Sequence, residues 1–194
     1  MSKSKIRDIK TVERDGPFRF EHIDPNQYNT TRIQWKRELG IVLPPREDLH
    51  KFGDPEDLRI VLSPILITIT FRGRRPLRYE FDRGFITDLA SVPSSFRGVV
   101  DNDDVKLAAA ALCHDYNFST HFLNPVGGRT PSNKGFRLTN KLFYGMIRER
   151  GYSLGRSIIA FLSVNSIVGR ARYAKNVARD PWTERTSRAK VLPV

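Results

Sequence analysis

Two short clusters hold the residue types best suited to chemistry: Thr87-Asp88 with Ser91, and the adjacent pair His114-Asp115. An imidazole oriented by a carboxylate can take and return a proton, which is the core of general acid–base catalysis. With His114 as the base, Asp88 or Asp115 orienting it, and Ser91 or a water as nucleophile, the four residues would suit a hydrolase. The same imidazole with two carboxylates would suit a divalent ion. A third reading needs no substrate at all. Asp88 would accept backbone N–H groups in its own turn, while His114 and Asp115 would bond the loop that follows their helix, pinning it to a core. The residues leave these three open. Only one histidine lies in the two clusters and Cys113 is the single cysteine, so neither a bound transition metal nor a cofactor is expected.

The elements that must position these clusters are strands first and helices after. Residues 17–23 (PFRFEHI) alternate large apolar with charged residues, the period of a short strand. Residues 24–57 are irregular, with turn signals at Asp24-Pro25, Asn26 and Asn29, a short helix expected over 31–39, and a stop at Pro44-Pro45. Ile65 to Phe71 is rich in β-branched residues and reads as a buried strand. Leu77 to Phe81 alternates as its partner across the Arg72 to Pro76 loop, giving a hairpin. Small polar residues before Pro93 then mark a structured turn at Thr87 to Val92. Three helices are expected beyond it. The first runs from Asp101 to Phe118, with acidic and amide residues at its start. The second covers Phe136 to Arg150, with apolar residues at helical spacing and a stop at Gly151. The third is capped by Ser153 and ends at Gly169. Such grouping predicts an α+β fold, a small antiparallel sheet followed by about three helices, with extended N- and C-terminal arms. The boundaries fall at 1–57, 58–169 and 170–194.

A polar pair on an alanine-rich helix needs partners, and alanines let another segment come close. The Asp88 turn is the natural one, so Asp88 and His114 are expected within hydrogen-bond reach, with Asn140 nearby. Adjacent helical residues point about 100° apart, so His114 and Asp115 can border one pocket without facing it alike.

The net charge of +12 across 194 residues concentrates toward the end of the chain. Residues 170–194 carry Arg170, Arg172, Lys175 and Arg179 among their cations, with Tyr173 and Trp182 as aromatics. Segments of this composition gain order by covering another surface, so these six residues are expected to bind a partner, and the tail is expected to stand off the domain. Non-specific contact with DNA also fits the charge. The opening residues lack the apolar core of a secretion signal, and the most apolar run, Ile158 to Val168, is too short to cross a bilayer, so no membrane insertion is expected.

Three ordered blocks carry a resemblance. They are Gly84-Phe85-Ile86-Thr87-Asp88-Leu89-Ala90-Ser91-Val92-Pro93, Ala109 to Tyr116 with His114-Asp115, and Thr139-Asn140-Lys141-Leu142-Phe143-Tyr144-Gly145-Met146. Together they resemble a small uncharacterised domain family that recurs in tailed-phage and prophage genomes and has no established activity. Where that family carries an acid in the third block, this chain has Asn140. The resemblance covers about Leu58 to Gly169. It implies a phage structural or tail-associated protein, assembled in the host cytoplasm into a virion and partnered by other virion proteins. The alternative is a hydrolase of host envelope material using Asp88, Ser91, His114 and Asp115.

Overall fold

A computed structural model describes residues 10–14, 19–22, 58–70, 75–89, 105–123, 131–175 and 189–193. The short helix expected over 31–39, the acidic helix start expected at 101–104, and Ser91, Arg179 and Trp182 lie outside these residues, as do 71–74 and 124–130.

The described elements are strands β1 (Lys10–Arg14), β2 (Phe20–His22), β3 (Arg59–Val61), β4 (Ile65–Thr70), β5 (Leu77–Phe81) and β6 (Ile86–Thr87). Helices α1 (Val105–Thr120), α2 (Asn133–Glu149), α3 (Leu154–Val164) and α4 (Ile167–Lys175) follow, and strand β7 (Ala189–Pro193) closes the chain. The protein is therefore α+β. One antiparallel sheet has the order β1-β4-β5-β7 and a second, smaller one the order β2-β3-β6. The expected β4–β5 hairpin is present, with Ile67 opposite Tyr79 and Ile65 opposite Phe81. Period-two alternation puts Ile65, Ile67 and Ile69 of β4, with Tyr79 and Phe81 of β5, among the buried residues.

Helix α1 packs against that sheet, and its sequence explains why. From Leu107 to Asp115 every residue is buried, so the helix has no solvent face to leave polar. Four consecutive alanines, Ala108 to Ala111, let neighbours approach from all sides. Helix α2 is amphipathic by contrast. It buries Phe136, Leu142, Phe143, Met146 and Ile147 and leaves Leu138 37% exposed. Ser132 caps its start by accepting from the Gly135 N–H at 3.0 Å. At its end Gly151 takes φ +84°, and the Tyr152 N–H reaches back to the Ile147 carbonyl at 3.0 Å. The left-handed residue permits that return bond, and it carries Tyr152 into the core.

The end of the helical region corrects the sequence reading. Ser153 caps α3 as expected, accepting from the Arg156 N–H at 3.3 Å. The helix ends at Val164 rather than near Val168, and a fourth helix begins at Ile167. Gly169 does not stop a helix; it lies within α4. A Cβ there would stand 2.5 Å from the Val164 carbonyl oxygen, so glycine is what lets α4 turn back so close to the end of α3.

The tail is corrected too. Tyr173 is 2% exposed, its ring packed on His121, Phe118 and Phe136 at centroid distances of 4.3, 5.1 and 5.4 Å. It is a core residue and not a partner anchor, because the turn at Asn165-Ser166 directs it inward. Strand β7 pairs with β5 from Leu77↔Pro193 to Phe81↔Ala189, and Lys190 Nζ lies 2.8 Å from Glu80 Oε2. That contact, with Arg78 beside it, holds the Glu80 carboxyl below its ordinary pKa. At the other end of the chain, β1 pairs with β4 from Lys10↔Thr70 to Arg14↔Leu66. Strands from either side of 58–169 thus complete the sheet, which covers edges that would otherwise be unpaired. Replacing Tyr173 with alanine should lower the unfolding free energy by about 3 kcal/mol, the cost of emptying a packed aromatic site. Urea denaturation measures this; a loss below about 0.5 kcal/mol would mean that α4 is not part of the core.

Candidate functional site

Thr87, His114, Asp115 and Asn140, four of the polar residues singled out by the sequence, lie in one buried polar cluster, whereas Ser91 is outside the described residues. Strand β6 ends at Thr87, which is fully buried. The Thr87 hydroxyl donates to the Asp115 carboxylate through Oδ2, and the Leu89 N–H donates back to Thr87 Oγ1 at 3.0 Å. Leu89 adopts φ +51° and buries its side chain, so this turn holds a backbone conformation that a leucine rarely takes. Asp88 lies between the two, half-buried.

On α1, Asp115 Oδ1 lies 3.7 Å from His114 Nδ1, too long for a hydrogen bond yet well within electrostatic reach. The other ring nitrogen, Nε2, is 3.0 Å from Asn140 Oδ1 on α2. Asn140 Nδ2 in turn donates to Asn165 Oδ1 at 3.1 Å, on the residue that caps the C-terminus of α3. With the amide so oriented, its oxygen must accept, so Nε2 carries the proton and donates. The His114 ring is held against Phe118 and Phe143, with centroids 5.4 and 5.2 Å away. His114 is 6% exposed, Asp115 5%, and Asn140 not at all. Two hydrogen-bonded runs, Leu89–Thr87–Asp115 and His114–Asn140–Asn165, thus meet at the 3.7 Å gap between Asp115 and His114, whose Nδ1 makes no hydrogen bond, and together they connect the β6 turn, α1, α2 and α3 through the interior.

A second polar contact lies further along α1. The Tyr79 hydroxyl on β5 and the Asn117 side chain are within 3.2 Å, both fully buried. Burial pushes the Tyr79 phenol well above its ordinary pKa, as it does the Cys113 thiol. A third contact closes the helix. His121, at φ +55°, donates its N–H to the Asn117 carbonyl and sets Nε2 3.1 Å from the Tyr173 carbonyl oxygen. That oxygen can only accept, so Nε2 donates. The Tyr173 phenol itself, buried beside it, is pushed up to about 12 by desolvation.

The structure thus brings His114, Asp115 and Asn140 together and joins them to the Asp88 turn. The bond that makes the junction comes from Thr87, which the sequence placed in the cluster but not among its chemically active members. A hydroxyl at the end of a strand, two residues before a backbone N–H it can bond, was the available signal. Of the tail residues, Arg170 and Arg172 are exposed, the Arg170 guanidinium lying 5.9 Å from the centre of the Phe136 ring, and Lys175 ends α4. Among the described residues no group of three or more His, Cys, Asp or Glu could hold a metal ion.

These features define a small α+β domain built around a central helix, whose polar residues face other protein groups. The chain belongs to the family described as Protein of unknown function (DUF1353), which matches residues 66–164, from β4 to the last residue of α3. All but the final member of the polar chain lies within that span. Neither a curated protein nor a solved structure matches it significantly.

The buried imidazole of His121 sets a pH dependence. Burial lowers its pKa from the ordinary 6.5, and the bond to Tyr173 opposes this only in part. Below that value the unfolded chain takes up a proton that the folded one refuses, so this residue's contribution is full above about pH 6.5 and is lost as pH falls through the folded pKa. The melting temperature should therefore drop more between about pH 7.5 and 5.5 for the native chain than for His121→Asn, which tolerates the same backbone conformation. Equal drops would show that His121 is not the group responsible.

Proposed function

We propose that this chain is a structural or tail-associated protein of a tailed-phage particle, in which the α+β domain serves as an assembly module. The observation that carries this reading is the state of the His114 group. A general base must reach the proton it abstracts. Here Nε2 is occupied by Asn140, Nδ1 faces Asp115, two aromatic rings clamp the imidazole, and only 6% of the residue meets solvent. A polar group sealed in this way fixes the relative positions of secondary elements. The resemblance of the three sequence blocks to domains of tailed phages and prophages supports the setting. Exposed Arg170 and Arg172 remain suited to contacts with neighbouring virion proteins or with DNA. The alternative, a hydrolase of host envelope material, would need the same buried imidazole to open toward solvent.

The test is to purify particles produced by the genome that encodes the chain. The chain should co-purify with them in constant ratio to the other virion proteins, and His114→Gln should leave any envelope-degrading activity unchanged. A chain that stays in the soluble fraction, with hydrolysis of envelope material abolished by His114→Gln, would contradict the proposal.

A further inference from the structure

Helix α3 is built inside out. Its buried positions are Ser157, Ala160, Ser163 and Val164, while Leu154, Ile158 and Leu162, spaced four apart along the outer side, are 57%, 43% and 57% exposed. An amphipathic helix on a domain normally does the reverse. The exposed apolar residues continue into the first turn of α4, where Ile167 is 88% and Val168 63% exposed. Singly exposed aliphatic residues are ordinary, but five in succession along two adjoining helices mark a surface that something covers.

Charge says what kind of surface. From Gly151 to Lys175 the sequence contains Arg156, Arg170, Arg172 and Lys175 and no aspartate or glutamate; Arg156 stands across α3 from Leu154, Ile158 and Leu162, so the cations beside the apolar face are those of α4. On α4 the inward residue is Tyr173, so helical geometry sets Arg170 and Arg172 on either side of the outward arc that holds Ile167 and Val168. Both arginines are exposed. Aliphatic side chains flanked by long cationic ones are the pattern of a helix that lies in the interface of an anionic bilayer, with the cations reaching the headgroups. A second copy on this face would bring like charges together. A protein partner would more usually be met by aromatic anchors, and the five exposed residues include none. Helix α3 has 11 residues, roughly half the length needed to span a membrane, so the contact lies along the surface.

We propose that the outward face of α3 and α4 docks on an anionic lipid bilayer, with Ile158, Leu162 and Ile167 entering the headgroup region and Arg172 engaging lipid phosphates, while Arg170 leans back over Phe136. Because contacts within a particle would draw on the same arginines, vesicle binding is measured on the isolated chain and does not depend on its incorporation into particles. The test uses the full chain and vesicles of phosphatidylcholine alone or containing about one-third phosphatidylglycerol. The protein should sediment with the anionic vesicles, scarcely with the neutral ones, and less at high salt. Replacing Ile158, Leu162 and Ile167 together by serine keeps the charge unchanged and should weaken binding roughly tenfold or more. If that variant fails to melt cooperatively, Ile167→Ser alone, at the most exposed of the three positions, carries the test. Failure of the native chain to sediment with anionic vesicles would overturn the proposal, as would serine variants that bind as well as the native chain. A native oligomer that the variants convert to monomer, without vesicle binding, would assign the face to self-association and overturn it equally.

Discussion

A carboxylate and an imidazole stand side by side on a helix that is buried on every side, and the rest of the structure is arranged around the consequence. Burying such groups without partners costs several kcal/mol. The cost is offset here by bonds drawn from three directions: Thr87 from the sheet side, Asn140 from α2, and, through Asn140, Asn165 from the end of α3. Each of these partners can be in place only if its own element is. A polar chain of this kind contributes specificity of arrangement as well as energy, since an apolar core alone would tolerate small shifts of one helix along another. Asn140 suits this position because an amide both accepts from His114 and donates to Asn165, which a carboxylate could not do.

The same helix explains the aromatic layer around it. Alanines at 108–111 bring the sheet and α2 close, and the aromatic residues fill the space beyond them. Tyr116 meets Tyr79 and Phe81 edge to face on one side, and Phe118 meets Phe136 and Tyr173 edge to face on the other. His121 ends the helix and ties α4 back to it through the Tyr173 carbonyl. Among the described residues the most exposed large apolar side chains lie on the outer side of α3 and the start of α4, which is why that region points to a surface contact.

Much of the fold is legible in the sequence where a pattern is local. The β-branched run of β4, the alternation in β5, the cap Ser153 and the stop at Gly151 all rest on short-range geometry. What was not legible depends on contacts distant in sequence. Nothing in 189–193 (AKVLP) announces that it will pair with β5, and the same holds for 10–14 (KTVER) and β4. Tyr173 among arginines has the composition of a solvated segment, and only the break at Asn165-Ser166 turns it inward. Gly169 reads as a helix stop until the Val164 carbonyl beside it is seen. For the site, the need of His114 and Asp115 for partners could be read from the alanines around them, and so could the turn that supplies one. That Thr87 rather than a charged residue makes the bond required the register of β6 on β3, where Thr87 pairs with Arg59.

The central claim is that Thr87 and Asn140, on opposite sides of α1, act as parts of one connected polar chain. A double-mutant cycle tests it directly, with Thr87→Val, Asn140→Leu and the pair compared with the native chain by urea denaturation. Each single change should cost about 1–3 kcal/mol by leaving buried groups unpaired. Because both act on the His114–Asp115 pair, the double variant should differ from the sum of the two by about 0.5 kcal/mol or more. Strict additivity, within about 0.3 kcal/mol, would show two independent contacts and contradict the account.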